Sequence, residues 1–224
     1  MQKKINRFER KWIFKSNNYL VLINSLIRSN LFFKKHHPKR RVNSIYFDTS
    51  NYASIRENLD GVSNKKKIRL RWYGNTDRIT NPILEIKSKK GFETKKENIK
   101  ISELDNLIFR SLKNLEIIQN KINERIKTKK TIYPILTTNY DREYYISYND
   151  KVRATVDYNL KSRFLKNLTQ MDIIKNFTKV CILELKYPIK SDQYVRSNLK
   201  HITLRLSKNS KFINSAFEIP KYLS

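Results

Sequence analysis

The sequence predicts an α+β fold: an antiparallel β-barrel forming a basic tunnel, with helices packed on the outside. Two observations favour this class. Several segments alternate basic and apolar residues, which is the period of a strand with two unlike faces. Other segments carry apolar residues at helical spacing, so helices are available to cover the apolar strand faces. Closure of the sheet would put the charged faces inside and remove the sheet edges.

Two adjacent strands between residues 65 and 91 show the alternation best. The basic residues of 67–72 fall on every second position, with apolar residues between them. Residues 83–89 show the same alternation of charged and apolar residues, with Glu85, Lys87 and Lys89 on one face. Mostly cationic faces side by side repel one another unless water or an anion lies over them. An ordinary sandwich with solvated charged exteriors is the alternative interpretation.

The same reasoning assigns the other elements in chain order. Pro188 should end the last strand, and the helix near residue 17 should be capped by Ser16 or Asn17. Predicted strands lie at 5–14, 42–49, 67–72, 83–89, 136–146, 151–158 and 180–187, with a further charged segment at 92–101. Predicted helices lie at about 17–27, 51–59, 102–122, 191–201 and from 210. A basic loop is expected at 36–41, and 159–178 reads as a polar connector.

Composition indicates one domain over residues 1–224 that binds a polyanion. Only 3 Gly and 5 Pro occur, and no linker divides the chain. The 48 Lys and Arg against 20 Asp and Glu give a net charge of +28, which favours nucleic acid, anionic lipid or polyphosphate as a partner.

Cysteine usage points to a reducing compartment. Cys181 is the one cysteine, which rules out an internal disulfide. The histidines lack ligand spacing, and no signal peptide or membrane span is visible. The expected location is cytoplasmic.

A surface lined by guanidinium and ammonium groups suits a chain of phosphates. Arginine offers bidentate hydrogen bonds to phosphoryl oxygens, whereas lysine supplies a point charge. The few carboxylates on the same faces, Glu9, Glu85 and Glu184, are hard ligands suited to Mg²⁺ or Mn²⁺.

An ordered set of short motifs then resembles one family, the VTC domain. This is the polyphosphate-polymerase branch of the triphosphate tunnel metalloenzymes, related to CYTH domains. The resemblance covers Arg7 to about Phe217, and no single motif is specific. The motifs are Arg7-x-Glu9-x-Lys11, Ser44-Ile45-Tyr46-Phe47-Asp48-Thr49, Arg69-x-Arg71-x-Tyr73-Gly74, Leu84-Glu85-x-Lys87, Tyr140-x-Arg142, Arg153 with Asp157, Leu183-Glu184-x-Lys186-Tyr187-Pro188, and Ser210-Lys211-Phe212.

The resemblance implies a polyphosphate polymerase that binds ATP and Mn²⁺ or Mg²⁺ and transfers the terminal phosphate onto inorganic polyphosphate. Glu184 would hold the metal, Ser210 would bond a phosphate oxygen, and Tyr140 would lie near the nucleotide. Lys95 would be an additional lysine of the site, with Lys96 as its competitor. Residues implied to grip phosphates are Lys11, Arg69, Arg71, Lys87, Arg142, Arg153, Lys186 and Lys211.

Departures from the family pattern affect the choice of reaction. Hydrolytic relatives begin with Glu-x-Glu-x-Lys, whereas Arg7 stands first here, which favours polymerase over triphosphatase. Ser215 stands where relatives have a glycine, and Ser207-Lys208 offers a second register for the last motif.

Other functions are kept open beside the polymerase. They are a tripolyphosphatase or nucleoside triphosphatase using the same tunnel, and a non-enzymatic module that binds polyphosphate or RNA. No signature of a specific nucleic-acid-binding fold is visible. Peripheral association with a membrane protein partner is a further hypothesis.

Overall fold

The computed structural model describes residues 7–91, 93–109, 111–127, 130–166, 170–177, 180–199, 206–207 and 210–216. No helix in this range is long and apolar enough to cross a membrane. The strands of the described range are β1 Arg7–Lys15, β2 Lys34–Asp48, β3 Lys65–Tyr73, β4 Ile83–Lys90, β5 Glu93–Lys100, β6 Tyr133–Ile146, β7 Arg153–Lys166, β8 Gln170–Phe177 and β9 Val180–Pro188. Its α-helices are α1 Tyr19–Ile27, α2 Ala53–Leu59, α3 Leu112–Ile126, α4 Asp192–Asn198 and α5 Lys211–Ala216.

The strands form one sheet in the order β1-β9-β7-β6-β2-β3-β4-β5, and β8 pairs with β7. The registers of β1 with β9, β9 with β7, β2 with β3, β3 with β4 and β4 with β5 are antiparallel. The chain divides into two compact units. Unit 1 is drawn from residues 1–40, 140–160 and 176–209, and unit 2 from 41–139, 161–175 and 210–224. The single domain predicted over residues 1–224 stays a prediction.

In unit 2 the longest helix covers the apolar face of β2, β3 and β4. Helix α3 buries Leu115, Ile118 and Ile122. These side chains share one core with strand residues such as Leu70 and Leu84, which are fully buried. The charged residues of the same strands lie on the opposite face, because successive side chains of a strand alternate. The predicted division into an apolar face under a helix and an ionic face is therefore confirmed.

Unit 1 is built in the same way. Leu22 and Leu26 of α1 and Val195 of α4 pack in one core with the apolar residues of β1, β7 and β9. Trp12 and Cys181 belong to this core, as the sequence predicted for packing residues.

Some predicted boundaries were wrong, each for a local reason. Residues 36–41, expected to be a basic loop, belong to β2, which begins at Lys34. Proline is compatible with extended backbone, and all residues from Lys34 to Arg40 are exposed, so the missing N–H of Pro38 leaves no buried carbonyl unpaired. The polar connector at 159–178 is largely strand, because β7 continues to Lys166 and β8 follows.

Two helix starts also differ from the prediction. Only a 3-10 turn forms at Ser102–Leu104, and the helix begins at Leu112, where the Ser111 hydroxyl accepts a hydrogen bond from the Asn114 amide at 3.2 Å. The N-cap position of α1 belongs to Asn18 and not to residue 16 or 17, because a 3-10 turn at Ser16–Asn18 leads into the helix.

Asp48, at the end of β2, fixes the start of α2. Its Oδ1 accepts hydrogen bonds from the Thr49 and Ser54 amides at 2.8 and 2.9 Å, and its Oδ2 accepts from the Ile55 amide at 3.0 Å. The carboxylate is 1% exposed. One buried side chain thus satisfies backbone donors that the helix start leaves unpaired.

Replacing Asp48 with alanine should therefore lower the free energy of unfolding by about 3 kcal/mol, since hydrogen bonds to a charged group contribute about 1.5–3 kcal/mol each and do not add fully. Asp48→Asn keeps Oδ1 as an acceptor but turns an N–H donor toward the Ile55 amide, so it should cost about 2 kcal/mol. Urea unfolding of both variants measures the difference. Equal stability of Asp48→Ala and the parent would contradict this role.

Candidate functional site

The ionic face of unit 2 carries a cluster of two arginines around one carboxylate, here called the arginine cluster: Tyr46, Arg69, Arg71 and Glu85. Arg69 lies opposite Glu85 in the β3–β4 register, and its Nε donates to Glu85 Oε2 at 2.8 Å. Arg71 Nη1 donates to Glu85 Oε1 at 3.2 Å. Burial raises the pKa of Glu85, but Arg69 and Arg71 outweigh it and lower that pKa to about 2. Glu85 is thus a fixed anion that aligns both guanidinium groups.

Two buried polar atoms in and next to the arginine cluster, Arg71 Nε and Ser44 Oγ, could still form hydrogen bonds. Arg71 is 8% exposed, and its buried Nε has no hydrogen-bond partner within the described part of the chain. Ser44 lies directly opposite Arg71 in the β2–β3 register, and its buried hydroxyl also lacks a hydrogen-bond partner among the described residues. A buried donor without a partner is costly, so an oxyanion placed between them would be favoured.

Next to the arginine cluster, three lysines stand in one row across three strands. Lys67 of β3 is paired with Lys87 of β4, and Lys87 with Lys96 of β5. Like charges directly opposite one another destabilise a sheet. Lys96 Nζ lies 3.6 Å from Glu85 Oε1, and Lys67 Nζ donates to the Ser210 hydroxyl at 3.2 Å. The row is a cationic surface whose repulsion an anion would relieve.

The phenol of Tyr46 lies beneath this cationic group. Arg69 Nη1 donates to its oxygen at 3.3 Å, and Lys67 Nζ lies 5.0 Å from its ring centroid. The side chain is 1% exposed. Burial raises the pKa of Tyr46, but the charges of Lys67, Arg69 and Arg71 outweigh it and lower that pKa to about 7.

The stability of the protein should therefore rise with pH above about 7. An unfolded tyrosine keeps a pKa of about 10, so between about pH 7 and 10 the unfolded chain holds a proton that folded Tyr46 has lost. Tyr46→Phe should remove this part of the pH dependence, which urea unfolding at a series of pH values measures. Tyr133→Phe, at an exposed tyrosine of β6, is the matched control. An unaltered pH slope in Tyr46→Phe would contradict the assignment.

Unit 1 carries a second group on its own ionic face, here called the glutamate–lysine cluster: Glu9, Lys11, Glu184 and Lys186. The register pairs Glu9 with Lys186 and Lys11 with Glu184, so the charges alternate in a square. Lys11 Nζ lies 2.6 Å from Glu9 Oε1 and 3.7 Å from Glu184 Oε2. Lys186 Nζ lies 2.5 Å from Glu184 Oε1 and 3.9 Å from Glu9 Oε2.

The electrostatics of this square favour the charged forms of Glu184 and Lys11, as the directions of their pKa shifts show. Burial raises the pKa of Glu184, but Lys186 and Lys11 outweigh burial and the neighbouring Glu9, so its pKa lies below the ordinary value. Burial lowers the pKa of Lys11, but Glu184 and Glu9 raise it above the ordinary value. Glu184 is 7% exposed, so it is a buried carboxylate with two lysines within reach.

The donor set of this square fits a hard divalent cation in part. Magnesium-type sites often use one or two carboxylates and complete their shell with water and substrate phosphates. Glu9 and Glu184 are close enough for Glu9 to raise the pKa of Glu184. The Thr155 hydroxyl, opposite Glu184 in the β7–β9 register, is buried without a hydrogen-bond partner in the described range. That range contains no group of three or more histidine, cysteine, aspartate or glutamate side chains arranged for a metal.

Arg142 is held rigidly beside this square. Its Nε and Nη2 donate to the two oxygens of Asp157 at 2.6 and 2.8 Å, and its guanidinium carbon lies 5.3 Å from the Tyr140 ring centroid. Burial lowers the pKa of Arg142, but Asp157 raises it well above the ordinary value. Arg153, by contrast, is exposed and lies opposite Lys186 in the register.

The last motif lies at the start of α5. Ser210 precedes the helix, and its hydroxyl is the acceptor for Lys67. Lys211 is half-buried, whereas Lys208 of the alternative register lies outside the described residues. Of the two competing lysines of β5, Lys96 is next to Glu85, while Lys95 is highly exposed and pairs with Glu97 at 2.7 Å.

The structure places some of the predicted site residues in the two clusters and others outside them. Arg69 and Arg71 belong to one cluster, and Lys11, Glu184 and Lys186 to the other, with Arg142 and Tyr140 in unit 1. Lys87 is exposed within the lysine row.

The sequence placed Tyr46, Lys67 and Asp157 on ionic strand faces but assigned none of them a role in the site. Each had a signal, because strand alternation places all three on ionic faces.

Comparison with known proteins gives two kinds of match. A family model for the VTC domain matches residues 6–217. No curated protein matches the chain. Among solved structures, the chain is similar to a candidate adenylate cyclase from Vibrio parahaemolyticus, with 14% identity, a TM-score of 0.52 and coverage of 93% of this chain and 98% of that one.

It is also similar to a candidate adenylyl cyclase from Hippeastrum with a dominant triphosphatase activity. Here the identity is 14% and the TM-score 0.53, covering 96% of this chain and 95% of that one. At this identity the likeness shows the fold alone. It confirms the predicted class, α+β with an antiparallel sheet and packed helices.

Proposed function

This chain belongs to the VTC domain family, and we propose that it is an ATP–polyphosphate phosphotransferase, an enzyme that moves the terminal phosphate of ATP onto a growing polyphosphate chain. The broader proposition, an enzyme that acts on phosphate chains, is supported by the family and by the triphosphatase activity of the Hippeastrum protein with the same fold.

The observation that carries the proposal is the in-register row of Lys67, Lys87 and Lys96 beside Arg69 and Arg71. Like charges directly opposite one another destabilise a sheet, and a linear anion with repeated charges lying along the row would offset this repulsion. Arginine forks pair with phosphoryl oxygens in bidentate fashion, and lysines add point charges. Polyphosphate and the triphosphate of ATP both have this chemistry.

The proposed step breaks the bond between the γ-phosphorus and the β,γ-bridging oxygen of ATP. A terminal oxygen of polyphosphate forms the new bond to that phosphorus, and ADP leaves with the bridging oxygen. Such transfers depend on positioning and charge neutralisation more than on a covalent intermediate. In unit 2, Arg69 and Arg71, held by Glu85, would supply fixed positive charge to phosphate oxygens. In unit 1, Arg142, held by Asp157, is a further fixed cation suited to phosphate oxygens.

Glu184 is the proposed metal ligand, with Glu9 as the nearest second carboxylate. Bound Mg²⁺ or Mn²⁺ would supply Lewis acidity at the phosphate oxygens. The chain's own contribution is to orient Glu184 between Lys11 and Lys186, which can turn to phosphate oxygens when the carboxylate is engaged elsewhere. Tyr140 and Ser210 remain proposed contacts to nucleotide and phosphate, as do Lys87, Lys95, Arg153 and Lys211.

Transfer to polyphosphate is preferred to hydrolysis because the square holds as many lysines as carboxylates. Activation of water needs a base or a well-ligated metal, whereas an anionic phosphate nucleophile needs neutralisation. Arg7 begins β1 on the same strand as Glu9 and Lys11, so it adds a cation where hydrolytic relatives have a carboxylate. ATP and inorganic polyphosphate are the proposed partners, without a specific nucleic acid.

The direct test incubates the pure protein with ATP and Mn²⁺ and separates the phosphate products on a gel. A ladder of long polyphosphate with matching ADP release is expected. Free phosphate as the sole product would instead identify a hydrolase. Tight polyphosphate binding without turnover would identify a non-enzymatic module.

A further inference from the structure

Helix α1 exposes several apolar side chains on the side turned away from the core, where the polar Asn24 is also exposed. Leu22 and Leu26 are 2% and 0% exposed and pack in the core of unit 1. On the opposite face Leu20, Val21 and Ile27 are 70%, 63% and 48% exposed. A surface helix normally turns polar residues outward. The outward residues of α1 therefore need a reason other than folding.

Two aromatic residues at neighbouring loop tips, one of them five residues after the end of α1, are also exposed. Phe32 is 63% exposed, between Leu31 and Phe33, which are both buried. Its φ of +46° is uncommon for a bulky residue and turns its side chain away from those neighbours. Tyr148 is 78% exposed, and its amide donates to the Leu31 carbonyl at 3.1 Å, so its turn lies beside the loop of Phe32.

Cations flank the same surface. Arg28 lies on the outward side of α1, seven positions after Val21 and thus on its face. Lys34 and Lys35 follow Phe32, and Lys151 follows the turn of Tyr148; all are exposed. Asp150 is the exposed acid within that turn. Exposed apolar and aromatic side chains with a cationic margin are typical of surfaces that enter the headgroup region of a bilayer.

We propose that the outward face of α1 with Phe32 and Tyr148, here called the α1 face, docks on an anionic lipid membrane. A second copy of the chain is a poor occupant, because the net charge of +28 makes two copies repel one another. An anionic bilayer offers charge complementarity to the margin and an apolar layer to the outward side chains. This inference does not depend on the proposed activity, since none of these residues belongs to the two clusters.

The test must separate insertion from adsorption of a strongly basic protein. The full chain is sedimented with phosphatidylcholine vesicles and with vesicles that also contain phosphatidylglycerol. The triple variant Leu20→Ser, Val21→Ser and Ile27→Ser leaves the net charge unchanged. We expect binding to the anionic vesicles only, and a partition coefficient at least about tenfold lower in the triple variant, given the apolar area it removes from the bilayer.

A tryptophan reporter makes the orientation testable. In Phe32→Trp, brominated lipid should quench the new indole, because contact with the acyl chains brings bromine close. Ile117→Trp, at a 40% exposed position of α3, is the matched control and should not be quenched. The native Trp12 and Trp72 are buried and serve as a constant background.

Several results would overturn the proposal. Equal binding of the parent and the triple variant would show adsorption by charge alone. Absence of binding to anionic vesicles would exclude the membrane as the occupant. A dimer of the parent in sedimentation velocity that the triple variant loses would assign the α1 face to self-association.

Discussion

Glu184→Gln should lower metal-dependent turnover by about two to three orders of magnitude, because Glu184 is the metal ligand we propose and such a ligand contributes several kcal/mol of transition-state stabilisation. Glutamine keeps the size of the side chain and its hydrogen bond to Lys186 but lacks the charge. Lys11 and Lys186 would then be less neutralised, so the affinity for polyphosphate, measured by calorimetry without metal, should stay the same or increase. The signature is a fall in kcat without weaker polymer binding.

The matched control for this variant is Glu143→Gln in the same unit. Glu143 is also a partly buried carboxylate and accepts hydrogen bonds from Tyr19 and Tyr158 at 2.7 and 3.1 Å, outside the glutamate–lysine cluster. It should lower the melting temperature without a comparable loss of turnover. Turnover of Glu184→Gln equal to that of the parent would refute the metal assignment.

Removing the arginine cluster should weaken the binding of ATP and polyphosphate by at least about a hundredfold, since charge-assisted hydrogen bonds contribute about 1.5–3 kcal/mol each. The best variant is Arg69→Ala with Arg71→Ala and Glu85→Ala. Removing the arginines alone would strand a buried carboxylate and cost about 3–5 kcal/mol of stability. The triple variant deletes two cations and one anion, so its net charge falls by one.

Lys89→Ala is the control for charge, since it also lowers the net charge by one. Lys89 is exposed near the end of β4. Its loss should change affinity by about threefold or less, as is usual for exposed charges. Circular dichroism would verify folding of both proteins. Parental affinity in the triple variant would refute the role of the arginine cluster.

Alternation alone located most of the sheet, and its failures have physical causes. Strands such as β3, β4 and β9 pack one apolar face against a helix. Every second residue in them is therefore apolar, and this alternation is visible in the sequence. The first half of β2 has no buried face, since Lys34 to Arg40 are all exposed, and its residues therefore follow no such pattern. The start of the α-helix predicted from Ser102 was misplaced because Leu104, in the preceding 3-10 turn, is buried like a helix residue.

The sequence was enough to predict which strand face carries each candidate site residue, but not which residue it would pair with. Alternation put Arg69, Arg71 and Glu85 on one side, and antiparallel pairing then placed them together. The choice between Lys95 and Lys96 depended on the register of β4 with β5, which a one-residue shift would invert. Tyr46 looked like an ordinary strand residue, because its perturbed pKa comes from cations on a different strand.

The pairing of β1 with β9 has a consequence for how the protein is made. Arg7 pairs with Pro188, so one edge of the sheet joins segments from distant parts of the chain. Closing so long a loop costs entropy before any contact is gained, which slows folding. On the ribosome, β1 must wait unpaired until residue 188 has emerged. During that interval its apolar face, including the otherwise buried Trp12, is exposed and becomes a natural binding target for chaperones.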